Sequence, residues 1–115
     1  MIVRVLQGRV RADGIGLFRE QSRRVLARTR AQDGCSFAQV ARQAHSDGSE
    51  EIVFLSVWRD LEAVYDWVGC VDLKTAPVIS GDRPDVLEYY DIQHYEVVDD
   101  PALSIMPVDA ASFMD

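Results

Sequence analysis

Cysteine and histidine are scarce in this chain of 115 residues, with two of each. Cys35 and Cys70 cannot build a disulfide framework. With no Cys-x-x-Cys pair and only His45 and His94, a structural zinc site is not expected either. Long apolar runs are also missing, and nothing approaches the ~20 consecutive residues of a membrane span. No basic-then-apolar leader opens the chain, which points to a cytoplasmic protein with no membrane partner. The sequence lacks Gly-x-Gly-x-x-Gly and the Walker loop, so nucleotide binding has little support. No Ser–His–Asp or Cys–His set stands at a recognisable catalytic spacing. There are no repeats and no low-complexity tracts.

What is present suits one globular domain: 48% hydrophobic and 27% charged residues, enough for a modest single core. The net charge of −7 is unevenly spread. Residues 1–30 carry eight arginines against Asp13 and Glu20, a net +6, and the remainder is −13. A basic surface for an anionic ligand or nucleic acid is one reading. A solvated helix face paired with acids elsewhere is the other, and it is favoured by the acidic chain and the lack of a nucleic-acid motif. No nucleic-acid partner is expected.

The most telling stretch is Ile52 to Val68, a strand running into a helix. Ile52, Phe54 and Ser56 point to one face and Val53, Leu55 and Val57 to the other, so both faces require cover. Around it, Ile2–Arg9 reads as a first strand. Asp13 is a candidate cap for a helix over about Ile15–Ala31, with Phe18, Ser22, Val25 and Thr29 on its apolar stripe. Gly34 suits a left-handed turn after it. Cys35–Ala44 and Glu50–Trp58 read as strands joined by the polar turn His45–Ser49. Asp60 caps a short second helix whose predicted inward stripe is Leu61, Val64, Tyr65 and Val68, ended by Gly69. Residues 70–85 read as a long loop, Val86–Val98 as a fourth strand, and 99–115 as an apolar C-terminal extension on its own or a partner subunit.

The order β-α-β-β-α-β is the ferredoxin-like split βαβ, an α+β fold with a four-stranded antiparallel sheet. Two helices cover one sheet face. The apolar opposite face predicts a homodimer with sheets packed face to face into a dimeric α/β barrel.

Over residues 1–98 the chain resembles the antibiotic biosynthesis monooxygenase domain of the dimeric α/β barrel superfamily. The resemblance rests on the N-terminal IVRVLQGRV strand, the Gln-Asp-Gly-Cys turn closing the first helix, and Leu-Ser-Val-Trp-Arg-Asp-Leu-Glu-Ala across Trp58. It implies a dimer with a pocket between helices and sheet in each subunit. Some members oxidise polycyclic phenols or quinols with molecular oxygen and neither metal nor flavin, so no cofactor is expected. An electron-rich phenolate can reduce oxygen itself, leaving the protein to bind, deprotonate and orient it. Other members degrade haem, using a Trp placed like Trp67 and an iron-ligating His ten residues later. That later position is Pro77, so haem degradation is disfavoured.

On this resemblance the substrate-binding candidates are Gln7, Trp58, Tyr65 and Trp67, and the catalytic candidates are His45 and His94. Trp58 is either an aromatic wall of the pocket or a core anchor at the strand–helix junction. Tyr65 either hydrogen-bonds a substrate phenol or packs in the core. His45 lies in a hairpin near which some family hydroxylases place a His, and its alternative is a solvated loop residue. His94 is a candidate general base or, by parity with Tyr90 and Ile92, a packing residue. Arg59 would meet an anionic substrate or pair with a nearby acid. Phe54 stands where the oxygenases carry Asn. The competing reading is a non-catalytic dimeric domain that binds a small molecule or a protein.

Overall fold

The computed structural model describes residues 1–69, 73 and 84–98. Strand β1 (Ile2–Val10) leads through a 3-10 turn to helix α1 (Ile15–Arg30). The hairpin β2 (Cys35–Ala44) and β3 (Glu50–Trp58) follows, then helix α2 (Leu61–Val68) and strand β4 (Leu87–Glu96). The sheet order is β2-β3-β1-β4 with every pairing antiparallel, the ferredoxin-like arrangement. The expected loop over 70–85 lies largely outside the described residues, as do Cys70, Pro77 and the 99–115 extension.

Each strand alternates between two environments because its side chains have period two. Leu6, Val10, Ile52, Phe54 and Ile92 face the helices and form the main core with Phe18 and Val25 of α1. Val3, Val5, Val53, Leu55 and Val57 face away and are half-buried by their sheet neighbours alone. Phe37, Tyr89 and Tyr95 are the large exposed side chains of that same outward parity. Among the described residues no helix covers this face.

Local chemistry explains the element ends. Asp60 accepts the Ala63 N–H at 2.9 Å and so caps α2. Gly69 closes it with φ 74°, its N–H reaching the Tyr65 carbonyl. Asp13, expected to cap α1, does not. It lies inside the 3-10 turn over Ala12–Gly14, and the cap position falls to Gly14 without a side-chain bond. Gly34 takes φ 93°, and a Cβ there would stand 2.8 Å from that of Ala63, so the turn and α2 pack closely.

Helix α2 is rotated from the predicted stripe. Ala63 and Val64 are buried with Trp67 beside them, while Leu61 and Tyr65 are exposed. Asp60, Ala63, Val64 and Trp67 satisfy the same i, i+3, i+4 spacing as the expected set, so periodicity alone did not choose between two adjacent stripes. The bulky indole won the inward position because Trp58 offers it a flat partner.

Two arginines of the N-terminal third, Arg9 and Arg19, pair with acids elsewhere, and Arg24 pairs with Glu20 within it. Arg9 meets Asp47 and Glu88, each at 3.2 Å, and Arg19 meets Glu50 at 2.9 Å. Arg59 sits 3.6 Å from Asp33 and 3.5 Å from Asp60, the acid-pairing alternative of its two readings.

Candidate functional site

The register places Ser56 of β3, Arg4 of β1 and His94 of β4 side by side on the helix-facing side of the sheet. This polar row interrupts an otherwise apolar surface, with Leu6, Phe54 and Ile92 forming the next row. Arg4 is buried, and its Nη1 donates to the Leu73 carbonyl at 3.1 Å and to His94 Nε2 at 2.9 Å. A guanidinium is always a donor, so this Nε2 must carry the lone pair. The imidazole is therefore neutral, with its proton on Nδ1.

The row ends against aromatic rings. Trp58 has no exposed surface, and its indole N–H donates to Ser56 Oγ at 2.9 Å. The Trp67 ring stacks on it with centroids 6.2 Å apart and 24° between planes. Trp67 and His94 are only half-buried, whereas Arg4, Ser56 and Trp58 are buried. Such a row can hold an anion against a fixed cation whose field is little screened by water.

The six candidates do not form one site. Trp58 and Trp67 stack at the β3–α2 junction, and His94 lies across Arg4 from Ser56, the residue that Trp58 bonds. Trp58 is a core anchor rather than an open wall, and Tyr65, 40% exposed, lies on the outer side of the helix. Gln7 faces the opposite side of the sheet from Arg4 and Leu6, since odd positions of β1 point away from the helices. There it joins Ala41, Gln43, Glu51 and Val53 around a shallow groove of about 320 Å³.

His45 also belongs to the outward side. Its Nε2 is buried, has no hydrogen-bond partner among the described residues, and lies 3.8 Å from Glu51. Glu51 accepts from the Tyr89 hydroxyl at 2.7 Å, and this bond raises the phenol above its usual range. Glu51 pairs in register with Arg9, five positions along β1 from Arg4. That separates His45 from His94 by about 17 Å along the strands and by the thickness of the sheet.

Beside His45, the hydroxyl and backbone N–H of Ser49 bond Asp47 at 2.6 and 2.9 Å and, with Arg9, hold its carboxyl below the ordinary value. A carboxyl lowered on folding stabilises above its unfolded pKa, and that contribution disappears as pH falls through the folded one. Asp47→Asn is therefore expected to narrow its stability gap from the wild type below about pH 4. Urea unfolding at neutral and acid pH measures this, and an unchanged gap would refute it.

Arg4 is the site residue that sequence reasoning missed. It shares parity with Leu6 and Val10, but that face is recognisable as the inward one only from the strand register. Cys35 is a free thiol that burial pushes up in pKa, which argues against a nucleophile. Among the described residues no three His, Cys, Asp or Glu side chains converge as a metal-holding group, and no helix is long and apolar enough to cross a membrane.

The antibiotic biosynthesis monooxygenase family profile matches residues 1–76. Solved structures share the fold at low identity. One is an antibiotic biosynthesis monooxygenase, 15% identical, with a TM-score of 0.67 over 85% of this chain and 99% of that one. A Mycobacterium tuberculosis protein is 18% identical, with a TM-score of 0.63 over 87% and 97%. A Pseudomonas aeruginosa protein is 14% identical, with a TM-score of 0.65 over 84% and 93%. No protein of curated function matches the sequence.

Proposed function

The chain belongs to the antibiotic biosynthesis monooxygenase family, and from that premise we propose that it oxidises a small aromatic phenol or quinol with molecular oxygen. The observation that carries this reading is the part-buried Arg4–His94 pair, in the row that Ser56 joins to the Trp58–Trp67 stack. The substrate's ring lies against Trp67. Its phenolic oxygen lies near Arg4, whose charge favours the phenolate over the phenol. His94 donates or relays a proton through its ring, and it acts as a base only after Nε2 leaves Arg4. The phenolate then passes an electron to oxygen, and the radical pair recombines at the ring. One oxygen atom remains as the new quinone carbonyl and the other leaves as water.

The reading includes a homodimer formed through the outward sheet face, where Val5, Leu55 and Val57 meet the same residues of a second copy. Face-to-face sheets about 10 Å apart would bury this apolar surface.

A second reading is favoured by one specific observation. Trp58, Val64, Ser56 and Arg4 are all buried and Trp67 packs on Trp58, which suits a dimeric binding domain without turnover. Oxygen uptake across a panel of hydroquinones and anthrones separates the two. Uptake with at least one of them, alongside a dimer in sedimentation velocity, is expected. A complete lack of uptake, with ligand binding retained, would select the binding domain.

A further inference from the structure

The helix-facing parity of β3 carries a second polar residue, Glu50, at the hairpin end. It stands six positions, or about 20 Å, from Ser56 and the row described above. Its side chain is 5% exposed. Oε2 accepts from Arg19 Nη2 of α1 at 2.9 Å and from Arg42 Nη1 of β2 at 2.8 Å. Oε1 is buried and has no hydrogen-bond partner among the described residues. Buried carboxylate oxygens without a donor are uncommon in folded proteins, and each calls for a reason.

These groups line a cleft of about 300 Å³ between α1 and β2. Phe18, Leu26 and Val40 make its apolar wall, and Arg19, Arg23 and Arg42 supply its charge. Arg19 and Arg42 each use one Nη on Glu50 and keep further donors, and both are about half exposed. Three arginines and one glutamate leave the cleft with two positive charges in excess.

We propose that this cleft binds a small monocarboxylate with an apolar body and a hydroxyl or amino group beside the carboxylate. The guanidinium forks match a carboxylate in geometry and charge. The apolar wall takes the body. The neighbouring O–H or N–H donates to the Glu50 carboxylate. Because Oε1 has no solvent contact, the ligand's carboxylate draws one half-exposed arginine off Oε2 and its O–H or N–H takes that place. A phosphate fits less well, since it has no apolar body and its second charge would face the Glu50 carboxylate.

Amide-resolved NMR titration of the full chain tests this, using mandelate and phenylglycine as the hydroxyl and amino probes. Mandelate or phenylglycine is expected to shift the amides of Ser22, Leu26 and Val40, with a Kd of about 1 mM or tighter. Phenylacetate, which lacks the donor, should bind about tenfold more weakly, and uncharged 2-phenylethanol about a hundredfold. Arg42→Lys keeps the charge but loses the fork and should weaken mandelate about tenfold without lowering the melting temperature. Arg23→Gln, which leaves the Glu50 contacts untouched, should weaken it as well. The proposal is overturned if phenylacetate or 2-phenylethanol matches both donor-bearing probes, if inorganic phosphate displaces them at equal concentration, or if the shifts fall outside the cleft.

Discussion

Trp58→Ala is expected to destabilise the protein by about 3–5 kcal/mol. A domain of this size holds about 5–15 kcal/mol in all, so much of the population would unfold on mild heating. The indole has no exposed surface, and it is the largest fully buried side chain. Its removal opens a cavity at the β3–α2 junction that Ala63 and Val64, held on a capped helix, cannot move to fill. It also strips Ser56 Oγ of its donor and Trp67 of its stacking partner. Trp58→Phe keeps part of the ring and should lose clearly less. Urea unfolding of both variants measures the difference, and a loss below about 1 kcal/mol for alanine would show that the junction does not depend on this ring.

Arg4→Met should lower oxygen uptake about a hundredfold or more, the loss typical of removing a fixed donor from a developing oxyanion. The fold should survive, because an apolar side chain of similar length fills the space, at the cost of the donor to the Leu73 carbonyl and His94. The variant thus tests chemistry in a protein that still folds. Sedimentation should match the wild type and the melting temperature should fall by about 4–8 °C while turnover falls. Arg4→Met also frees His94 Nε2 from its donor, so the residual activity should follow a different pH profile. Undiminished uptake would remove Arg4 from the reaction and place the phenolate elsewhere.

Much of this architecture was legible in the residues themselves. The bounds of β2 and β3 follow from a polar turn between two runs of strand chemistry, and α2 is framed by Asp60 and Gly69, whose caps act within one turn of chain. The two-sided apolar character of β3 is visible because side-chain period two is a local property. The orientation of α2 was not visible. Two overlapping stripes satisfied helical spacing, and only the packing of Trp67 on Trp58 selected one. Asp13 illustrates the same limit at α1, where a tight turn anchored by the Arg11 carbonyl displaced the expected cap.

The candidate site was legible only in pieces. Trp58 and Trp67 stack on each other and His94 stands in the cross-strand row of Ser56, yet Arg4, which links His94 to that row, carries no expectation from the sequence. Gln7 and His45 were drawn to the same site and lie on the other side of the sheet. Their facing depends on strand register, and both faces of β1 are largely apolar, so hydrophobic pattern could not orient it.

By itself the sequence determined the element order, the antiparallel sheet and the family, because these rest on periodicity, caps and turns that each act over a few residues. Tertiary structure alone decided which charges went inside. Arg4 meets His94 across 90 positions of chain, and Glu50 meets Arg19 across 31. A buried ion is tolerated only where distant strands and helices deliver its partners, and that delivery is a property of the folded register rather than of any local segment.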